Sequence, residues 1–318
     1  MNKEIIYWMT FAHKLPLWSF SNREGWKNED KNNLIIKFFH EKKISIEDFF
    51  QLSENSWKND YQLTNKQISD LMQAKSALPN NAFWAETLLN NGIEVIPVIS
   101  PYYSKTLKVN LKKSAPSVIY IKGNKQIMAE KSIAIVGSRE ASDLALQFTN
   151  NIAKLASKEH KVVVSGFAKG VDKQALDATL IHKGQSIIVL PQGIMTFGSG
   201  FKTYYKQIIN GDVLVLSIFP PNMNWDKNLA MARNSIIYGL AEEIYVAQSS
   251  EKGGTWAGVK EGLRKKRKIY VRKPDASEKN ANSILIEKGA ISVDCNGNIL
   301  ESENNPTNLK ETDQLSLF

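Results

Sequence analysis

Two stretches decide the fold of this chain: IAIVGSR at residues 133–139 and VVVSGFAKGVD at residues 162–172. Each begins with a run of apolar, largely β-branched residues and passes directly into a turn that contains glycine. Continuous apolar runs of this kind are typical of strands that are buried on both faces, as in parallel sheets. The turns indicate that the chain ends each strand abruptly and then enters a helix.

The same alternation extends on both sides of these stretches. Helical stretches are predicted at about 141–157 and 171–182, directly after the two turns. Six further strand-like runs lie at 93–96, 118–121, 187–190, 213–216, 244–246 and 269–271. Buried strands that alternate with amphipathic helices predict an α/β fold, a doubly wound and mostly parallel sheet. We place this domain at residues 92–295.

The segments on either side of this domain have a different pattern. Residues 1–85 predict a small helical N-terminal domain, because apolar residues such as Ile46, Phe49 and Phe50 recur at helical spacing. Its tryptophans could stack on nucleobases, but we interpret them as the core of this helical unit. Residues 301–318 are rich in Asn, Glu, Thr and Ser, and they predict a flexible tail.

Composition favours a polyanionic partner and excludes several classes of site. The 318 residues include 41 Lys and Arg against 32 Asp and Glu, which gives a formal charge of +9. A single cysteine, Cys295, excludes a disulfide framework and a cysteine-based zinc site, and the histidines show no metal-ligand spacing. No apolar run has the length of a membrane span or a signal peptide. We therefore expect a soluble cytoplasmic protein without a membrane partner.

The carboxyl ends of the strands are where a doubly wound sheet binds ligands. Glycines there permit close backbone approach and expose amides to an anion, while Arg139 and Lys169 add positive charge. Four polar turns are predicted at these strand ends: Gly137-Ser138-Arg139, Ser165-Gly166 with Lys169-Gly170, Arg233-Asn234-Ser235, and Gly253-Gly254-Thr255. Any one glycine could serve only strand–helix packing, but together the turns predict a cleft that binds phosphates. Asp172 is expected to cap or orient its glycine turn.

Several catalytic and cofactor motifs are missing from the sequence. The first turn lacks G-x-G-x-x-G, and the chain contains neither G-x-x-x-x-G-K-[ST] nor G-x-S-x-G. No carboxylate pair stands near the turns at a spacing suited to acid–base chemistry. We therefore predict a protein that is not an enzyme and that needs no cofactor.

In order and spacing, the first three of these turns resemble those of the DprA/Smf family of DNA-processing proteins. Residues 92–95, 103–107 and 115–124 upstream and residues 282–290 downstream also match, so the resemblance covers about residues 92–291. It implies an extended Rossmann fold and binding of single-stranded DNA without catalysis. It also implies a homodimer that delivers the strand to the RecA recombinase, which protects incoming DNA in natural transformation.

The resemblance also implies roles for individual residues. Arg139 and Lys169 would contact phosphates, and the pocket would be shaped by Gly137, Ser138, Ser165, Gly166 and Gly170. Arg233 and Asn234 match an Arg-Asn pair of the family near the same cleft. However, Ser235 stands where a second arginine is usual, and the turn at 253–255 resembles that of related lysine-decarboxylase-like nucleotide-binding proteins. A second hypothesis is therefore a nucleotide-binding or nucleotide-sensing protein, for example in phage defence, that uses the same cleft.

Two further motifs lie near the C-terminus. Residues 264–268 form a basic run that we interpret as a solvated helix end; the alternative is an extension of a DNA track. The last five residues resemble the bacterial sliding-clamp-binding motif, in which a Gln forms hydrogen bonds and Leu and Phe anchor in an apolar groove. The alternative is that these residues pack on their own domain. They are Gln314, Leu315, Ser316, Leu317 and Phe318.

Overall fold

A single sheet organises the molecule, seen here in a computed structural model that describes residues 3–16 and 25–300. Its strand order is β1-β2-β6-β5-β4-β3-β7-β8-β9. The strands are β1 (Glu94–Pro97), β2 (Val118–Lys122), β3 (Ser132–Val136), β4 (Val162–Ser165), β5 (Ser186–Val189), β6 (Val213–Ser217), β7 (Glu243–Val246), β8 (Lys268–Arg272) and β9 (Ile291–Val293). Strands β3 to β9 are parallel, whereas β2 pairs antiparallel with both β1 and β6. The predicted mostly parallel sheet is confirmed.

Helices connect the strands and precede the sheet. The N-terminal helices are α1 (Lys3–His13), α2 (Asn28–Ile35), α3 (Ile46–Gln51), α4 (Glu54–Asn59), α5 (Asn65–Ser76) and α6 (Leu78–Asn90), with a π-helix at Ile36–Glu41. The later helices are α7 (Lys105–Leu111), α8 (Asp143–Lys158), α9 (Val171–Ile181), α10 (Gly198–Thr203), α11 (Tyr205–Asn210), α12 (Lys227–Leu240), α13 (Gly254–Arg264) and α14 (Asn282–Glu287). None of the helices within residues 3–16 and 25–300 is long and apolar enough to cross a membrane.

Both faces of the parallel strands are covered, as the continuous apolar runs predict. Successive side chains of a strand point to opposite faces. In β3, Ile133 and Ile135 pack into a cluster with α8 and α9, whereas Ala134 and Val136 pack on the side of α12. The sheet is therefore doubly wound, which confirms the fold class.

The N-terminal helices pack against the antiparallel edge of the sheet. Their buried residues belong to the same hydrophobic cluster as β1 and β2, and the His13 ring stacks on Tyr120 of β2 with centroids 5.6 Å apart. Trp8, Trp26 and Trp57 are at most 2% exposed, which confirms that these tryptophans are core. The domain boundaries at 1–85, 92–295 and 301–318 stay a prediction, and the tail lies outside the described residues.

The prediction that residues 233–235 form a turn at a strand end is wrong. They lie inside α12, which is capped by the Asp226 side chain as it accepts a hydrogen bond from the Asn228 amide at 2.7 Å. This helix crosses β3, β4 and β5, so it brings Arg233 to the strand ends from above the sheet. Polar residues in mid-helix resemble a turn in the sequence, but here Arg233 and Asn234 face the strand ends and Ser235 is exposed.

Candidate functional site

A cleft opens where the winding of the sheet changes direction. After β3 the chain forms α8 on one face of the sheet. After β7, which lies beside β3, it forms α13 on the opposite face. A crevice is expected outside the carboxyl ends of two such strands. The first cleft occupies this place, with a volume of about 380 Å³. The predicted residues that line it are Gly137, Ser138, Arg139, Arg233, Asn234, Gly253, Gly254 and Thr255.

The turn after β3 is held by the loop after β7. The Ser138 amide donates to the Gln248 carbonyl at 2.9 Å, and the Thr255 hydroxyl donates to the Gly137 carbonyl at 3.1 Å. A Cβ at Gly137 would lie 2.6 Å from a methyl of Val171, so the close approach of α9, the helix after β4, requires glycine here. These contacts fix the backbone that presents Arg139.

The turn after β4 touches the turn after β3. Gly170 has φ +75°, a conformation that favours glycine, and a Cβ there would lie 2.4 Å from the Ser138 carbonyl oxygen. The Ser165 hydroxyl donates to the Ile135 carbonyl at 2.9 Å and is buried behind the turn. Ser165 and Gly170 therefore support the backbone of the two turns, and neither lines the first cleft.

A buried ion pair lies beneath the two turns. The Arg233 guanidinium is 3% exposed; its Nη1 donates to the Val189 carbonyl at 3.1 Å and lies 3.8 Å from Asp172 Oδ2. Asp172 accepts a hydrogen bond from the Ala168 amide at 3.3 Å, which agrees with its expected role in orienting the glycine turn. Arg233 rests directly on Gly166, where a Cβ would lie 1.3 Å from Nη1.

Burial acts against the charged form of both partners in this pair. It raises the pKa of the Asp172 carboxyl, while Arg233 and the hydrogen bonds of the turn lower it. Burial also lowers the pKa of the Arg233 guanidinium, which Asp172 opposes and nearby Arg139 reinforces. Each charge therefore depends on the other, and Arg233 acts mainly as a structural cation.

The second cleft, of about 240 Å³, adjoins the first. Arg139, Ala168, Trp225 and Arg233 line both clefts, so the two form one continuous depression. The second cleft adds Lys169 and Gly166 of the predicted site. It also adds the aromatic rings of Phe167, which lies within the predicted turn after β4, and of Phe197, which no pattern in the sequence places there.

Unpaired cations surround this depression. Arg139, Lys169, Lys227 and Lys252 are exposed and line one or both clefts. Within the part of the chain that the structure describes, none of the four forms an ion pair. Asp172 is the acidic residue that lines the clefts, and it faces Arg233. The rim therefore attracts anions.

Sequence reasoning missed Trp225, Lys227 and Lys252. Trp225 and Lys227 flank Asp226, the N-cap of α12, and Lys252 immediately precedes the glycine turn at 253–254. Trp225 and Lys252 lie in the loops after predicted strands, and Lys227 opens the helix that follows the first of these loops, so the rule that placed the other turns at the strand ends also applies to them. A signal for these three residues is therefore present in the sequence.

Comparison with known proteins agrees with this architecture. The family model for DNA recombination-mediator protein A matches residues 94–304. This chain belongs to that family. DNA processing protein DprA of Bacillus subtilis is 29% identical over 180 residues, which are 56% of this chain and 60% of the relative. The protein of the same name from Streptococcus pneumoniae is 30% identical over 156 residues, 49% of this chain and 55% of the relative. The chain thus spans little more than half the length of these curated relatives.

Solved structures share the fold. The structure of DNA processing protein A from Streptococcus pneumoniae superposes with a TM-score of 0.70 at 20% identity, over 92% of this chain and 95% of the other. The protein from Helicobacter pylori gives a TM-score of 0.53 at 23% identity, over 63% and 90%. The similarity to the first of these includes the N-terminal helices, because the match covers nearly the whole chain.

Proposed function

We propose that this protein binds single-stranded DNA in the two clefts and acts without catalysis. The observation that carries the proposal is the continuous depression at the strand ends, which is floored by glycine turns and surrounded by four cations that form no ion pair within residues 3–16 and 25–300. Phosphates are bound by the amides of a helix N-terminus, here that of α13, and by the planar fork of arginine. The relatives support DNA as the ligand, since two are named DNA processing protein and the one from Helicobacter pylori is described by its single-stranded DNA binding mode.

The proposal extends to the process that the DNA enters. A recombination mediator would protect single strands in the cytoplasm or deliver them to RecA, as in natural transformation. Membership of the DNA recombination-mediator family supports this role. We include a homodimer as the binding form.

The sliding clamp is proposed as a further partner through residues 314–318. These residues lie outside the described part of the chain, so the proposal rests on their sequence. Deletion of Leu317 and Phe318 should abolish binding to the clamp in a pull-down with the full chain. Unchanged binding would reject this assignment.

A small phosphorylated ligand is the second candidate for the same site. Gly253 has φ +92° and Gly254 opens α13, so the amide end of an 11-residue helix lies at the first cleft. The first cleft also falls within the range of about 300–1,000 Å³ that is usual for small-molecule pockets. These features suit a nucleotide or a nucleotide signal as well as one unit of a strand.

The decisive experiment compares two pairs of cations. Arg139→Ala with Lys169→Ala removes the unpaired charges at the rim, and Arg264→Ala with Lys265→Ala removes one arginine and one lysine at the end of α13. We expect the first pair to weaken binding of a labelled single-stranded oligonucleotide about 100-fold, since each charged hydrogen bond contributes about 1.5 kcal/mol. The control pair should change binding less than about threefold.

Two results would overturn the assignment of function. Equal binding by the wild type and the Arg139/Lys169 variant would show that the DNA lies elsewhere. A rise in melting temperature with mononucleotides but not with oligonucleotides would favour the second candidate, because a ligand that binds the native state stabilises it.

A further inference from the structure

We propose that residues 314–318 bind to their own domain, in an apolar groove between α7, α12 and α13 that we call the helix groove. The occupant is a segment of this chain that lies outside the described residues. The inference does not rest on DNA binding at the clefts. It is carried by the chemistry of the groove, by the direction in which the described chain ends, and by the opposite charges of the tail and of the basic run at 264–268.

The helix groove is a recess of about 190 Å³ with apolar walls. Leu111 of α7, Met231 of α12 and Ala257 of α13 line it. Met231 is 42% exposed, although an apolar side chain of this size is stabilised by burial. An apolar cavity of about 150 Å³ accommodates a benzene ring, so the groove has room for one phenyl ring such as that of Phe318.

The helix groove adjoins the first cleft but extends away from the strand ends. The two share Met231, Asn234, Tyr238 and Gly254. At its other end the groove is lined by Lys265 and Arg267, which belong to the basic run that follows α13. The groove therefore combines an apolar recess with a cationic end.

Charge complementarity favours the tail as the occupant of this groove. Lys266 and Lys268 of the basic run are exposed, and no ion pair within residues 3–16 and 25–300 includes them. The residues that lead to 314–318 have the opposite charge: Glu301, Glu303, Glu311 and Asp313 stand against Lys310. Glu311 and Asp313 lie within three residues of Gln314, so they meet the basic run when the apolar residues enter the groove.

The described chain ends near the helix groove and runs toward its cationic end. After β9 the chain turns back, and the Leu300 amide donates to the Ser292 carbonyl at 2.9 Å in an antiparallel arrangement. Since β9 is parallel to β8, the chain heads toward the start of β8 at Lys268. Leu300 is about two strand spacings and three residues from Lys268, or about 15 Å. Residues 301–314 can span about 46 Å, which is ample.

Binding in the groove has a regulatory consequence. The residues that enter the groove are the same as those proposed to bind the sliding clamp. The groove and the clamp therefore compete for residues 314–318, and the groove covers their leucine and phenylalanine side chains while the clamp is absent. The groove itself does not depend on the clamp assignment.

Disulfide trapping in the full chain tests the proposal. Cys295→Ser removes the one native cysteine, and Ser316→Cys places a thiol in the segment without altering its leucines or its phenylalanine. The second thiol is introduced by Ala257→Cys in the helix groove. In the control it is introduced by Ala276→Cys, at an exposed alanine in the loop after β8 that lines neither the clefts nor the groove.

The rate of disulfide formation with oxidised glutathione reports how often the segment occupies each place, because the two Cα atoms must come within about 7 Å. Burial of a phenylalanine side chain favours the docked state about tenfold or more. We therefore expect the bond at Ala257→Cys to form at least about tenfold faster than at Ala276→Cys, within one chain on a denaturing gel. Adding Leu317→Ala with Phe318→Ala should remove this difference.

Two results would overturn the proposal. Equal rates for Ala257→Cys and Ala276→Cys would show that the segment has no preference for the groove. A disulfide that joins two chains would show that the occupant belongs to a second copy. Glu311→Gln with Asp313→Gln should reduce the difference in rate, because these carboxylates face the basic run. An unchanged difference would exclude charge as a cause of docking.

Discussion

The cations at the cleft and those at the end of α13 differ in their partners. Arg139 and Lys169 are exposed, and within residues 3–16 and 25–300 they form no ion pair. Arg264 and Lys265 both contact Glu261, at 2.7 and 3.2 Å. The hydrogen bond from Arg264 is the main reason that the pKa of Glu261 falls to about 2.

The basic run at 264–268 also forms hydrogen bonds with the protein backbone. Arg267 donates to the carbonyls of Tyr238 and Ala241 at the end of α12, at 2.8 and 2.5 Å. This arrangement agrees with the interpretation of the run as a helix end, and its use as a DNA track stays untested. A DNA phosphate would therefore compete with Glu261 for Arg264 and Lys265 at the end of α13, whereas Arg139 and Lys169 at the cleft have no such competitor among the described residues. The net charge of +9 therefore overstates the number of cations that are available to DNA.

The largest expected effect comes from the buried cation beneath the cleft. Arg233→Met should lower the free energy of unfolding by about 3–5 kcal/mol, because it leaves the Asp172 carboxylate buried without its partner. Adding Asp172→Asn should recover part of this loss. Arg264→Met, at a side chain that is 71% exposed, should leave the free energy of unfolding close to that of the wild type. Urea unfolding at pH 7 measures all three values.

The pH dependence of the same variant follows from the Asp172 carboxyl. Burial raises its pKa and Arg233 lowers it, so Arg233→Met raises it further. A folded-state pKa above the unfolded value means that stability is lost as pH rises and regained on acidification. The deficit of Arg233→Met should therefore shrink as the pH falls. A deficit that is small and constant with pH would show that Arg233 is not a structural cation.

A smaller effect is expected from steric crowding of the same guanidinium. Gly166→Ala places a Cβ 1.3 Å from Arg233 Nη1, whereas Gly198→Ala on α10 meets no atom within 4 Å. We expect Gly166→Ala to lose about 1–3 kcal/mol of stability, as overpacked sites do. Gly198→Ala should be neutral or gain up to about 1 kcal/mol. Equal melting temperatures for the two variants would contradict the close approach of Arg233 to the turn.

The salt dependence of DNA binding should distinguish the cations at the cleft from those at the end of α13. For a single strand, the slope of log K against log salt has a magnitude of about 0.7 per phosphate that the protein neutralises. Arg139→Ala should reduce the slope by about this amount, and Arg264→Ala should leave it unchanged. A fluorescence titration at several salt concentrations measures the slope. An equal change in both variants would place the strand over both regions.

The smallest effect is expected at Glu261. Glu261→Gln should cost less than about 1 kcal/mol at pH 7, since the side chain is 48% exposed and water screens its ion pairs. A folded-state pKa of about 2, below the ordinary 4.5, gives stability that is present above 4.5 and lost as the pH falls toward 2. The difference between variant and wild type should therefore vanish over this interval. Chemical denaturation at several pH values checks it, and a constant difference would exclude the ion pairs as its cause.

Most of the fold could be predicted from local patterns. The run at 133–136 became β3 and the run at 162–164 became β4, because continuous apolar residues with β-branched side chains form strands that are buried on both faces. The glycine turns were placed correctly for the same reason, since they follow those strands directly. The cluster at 233–235 was misplaced, because nothing nearby in the sequence shows that a polar stretch faces the strand ends from within a helix.

The amino-acid sequence by itself determined the alternation of strands and helices, the glycine turns and the cations Arg139 and Lys169. These depend on residues that are neighbours along the chain, where the spacing of side chains carries the information. Only the tertiary structure decided that β7 lies beside β3, which opens the first cleft, and that Trp225 lines both clefts. It also decided which cations are paired, as Arg233 is with Asp172. The physical reason is that a charge or a ring is free or covered according to residues that are distant in the sequence and that packing brings together.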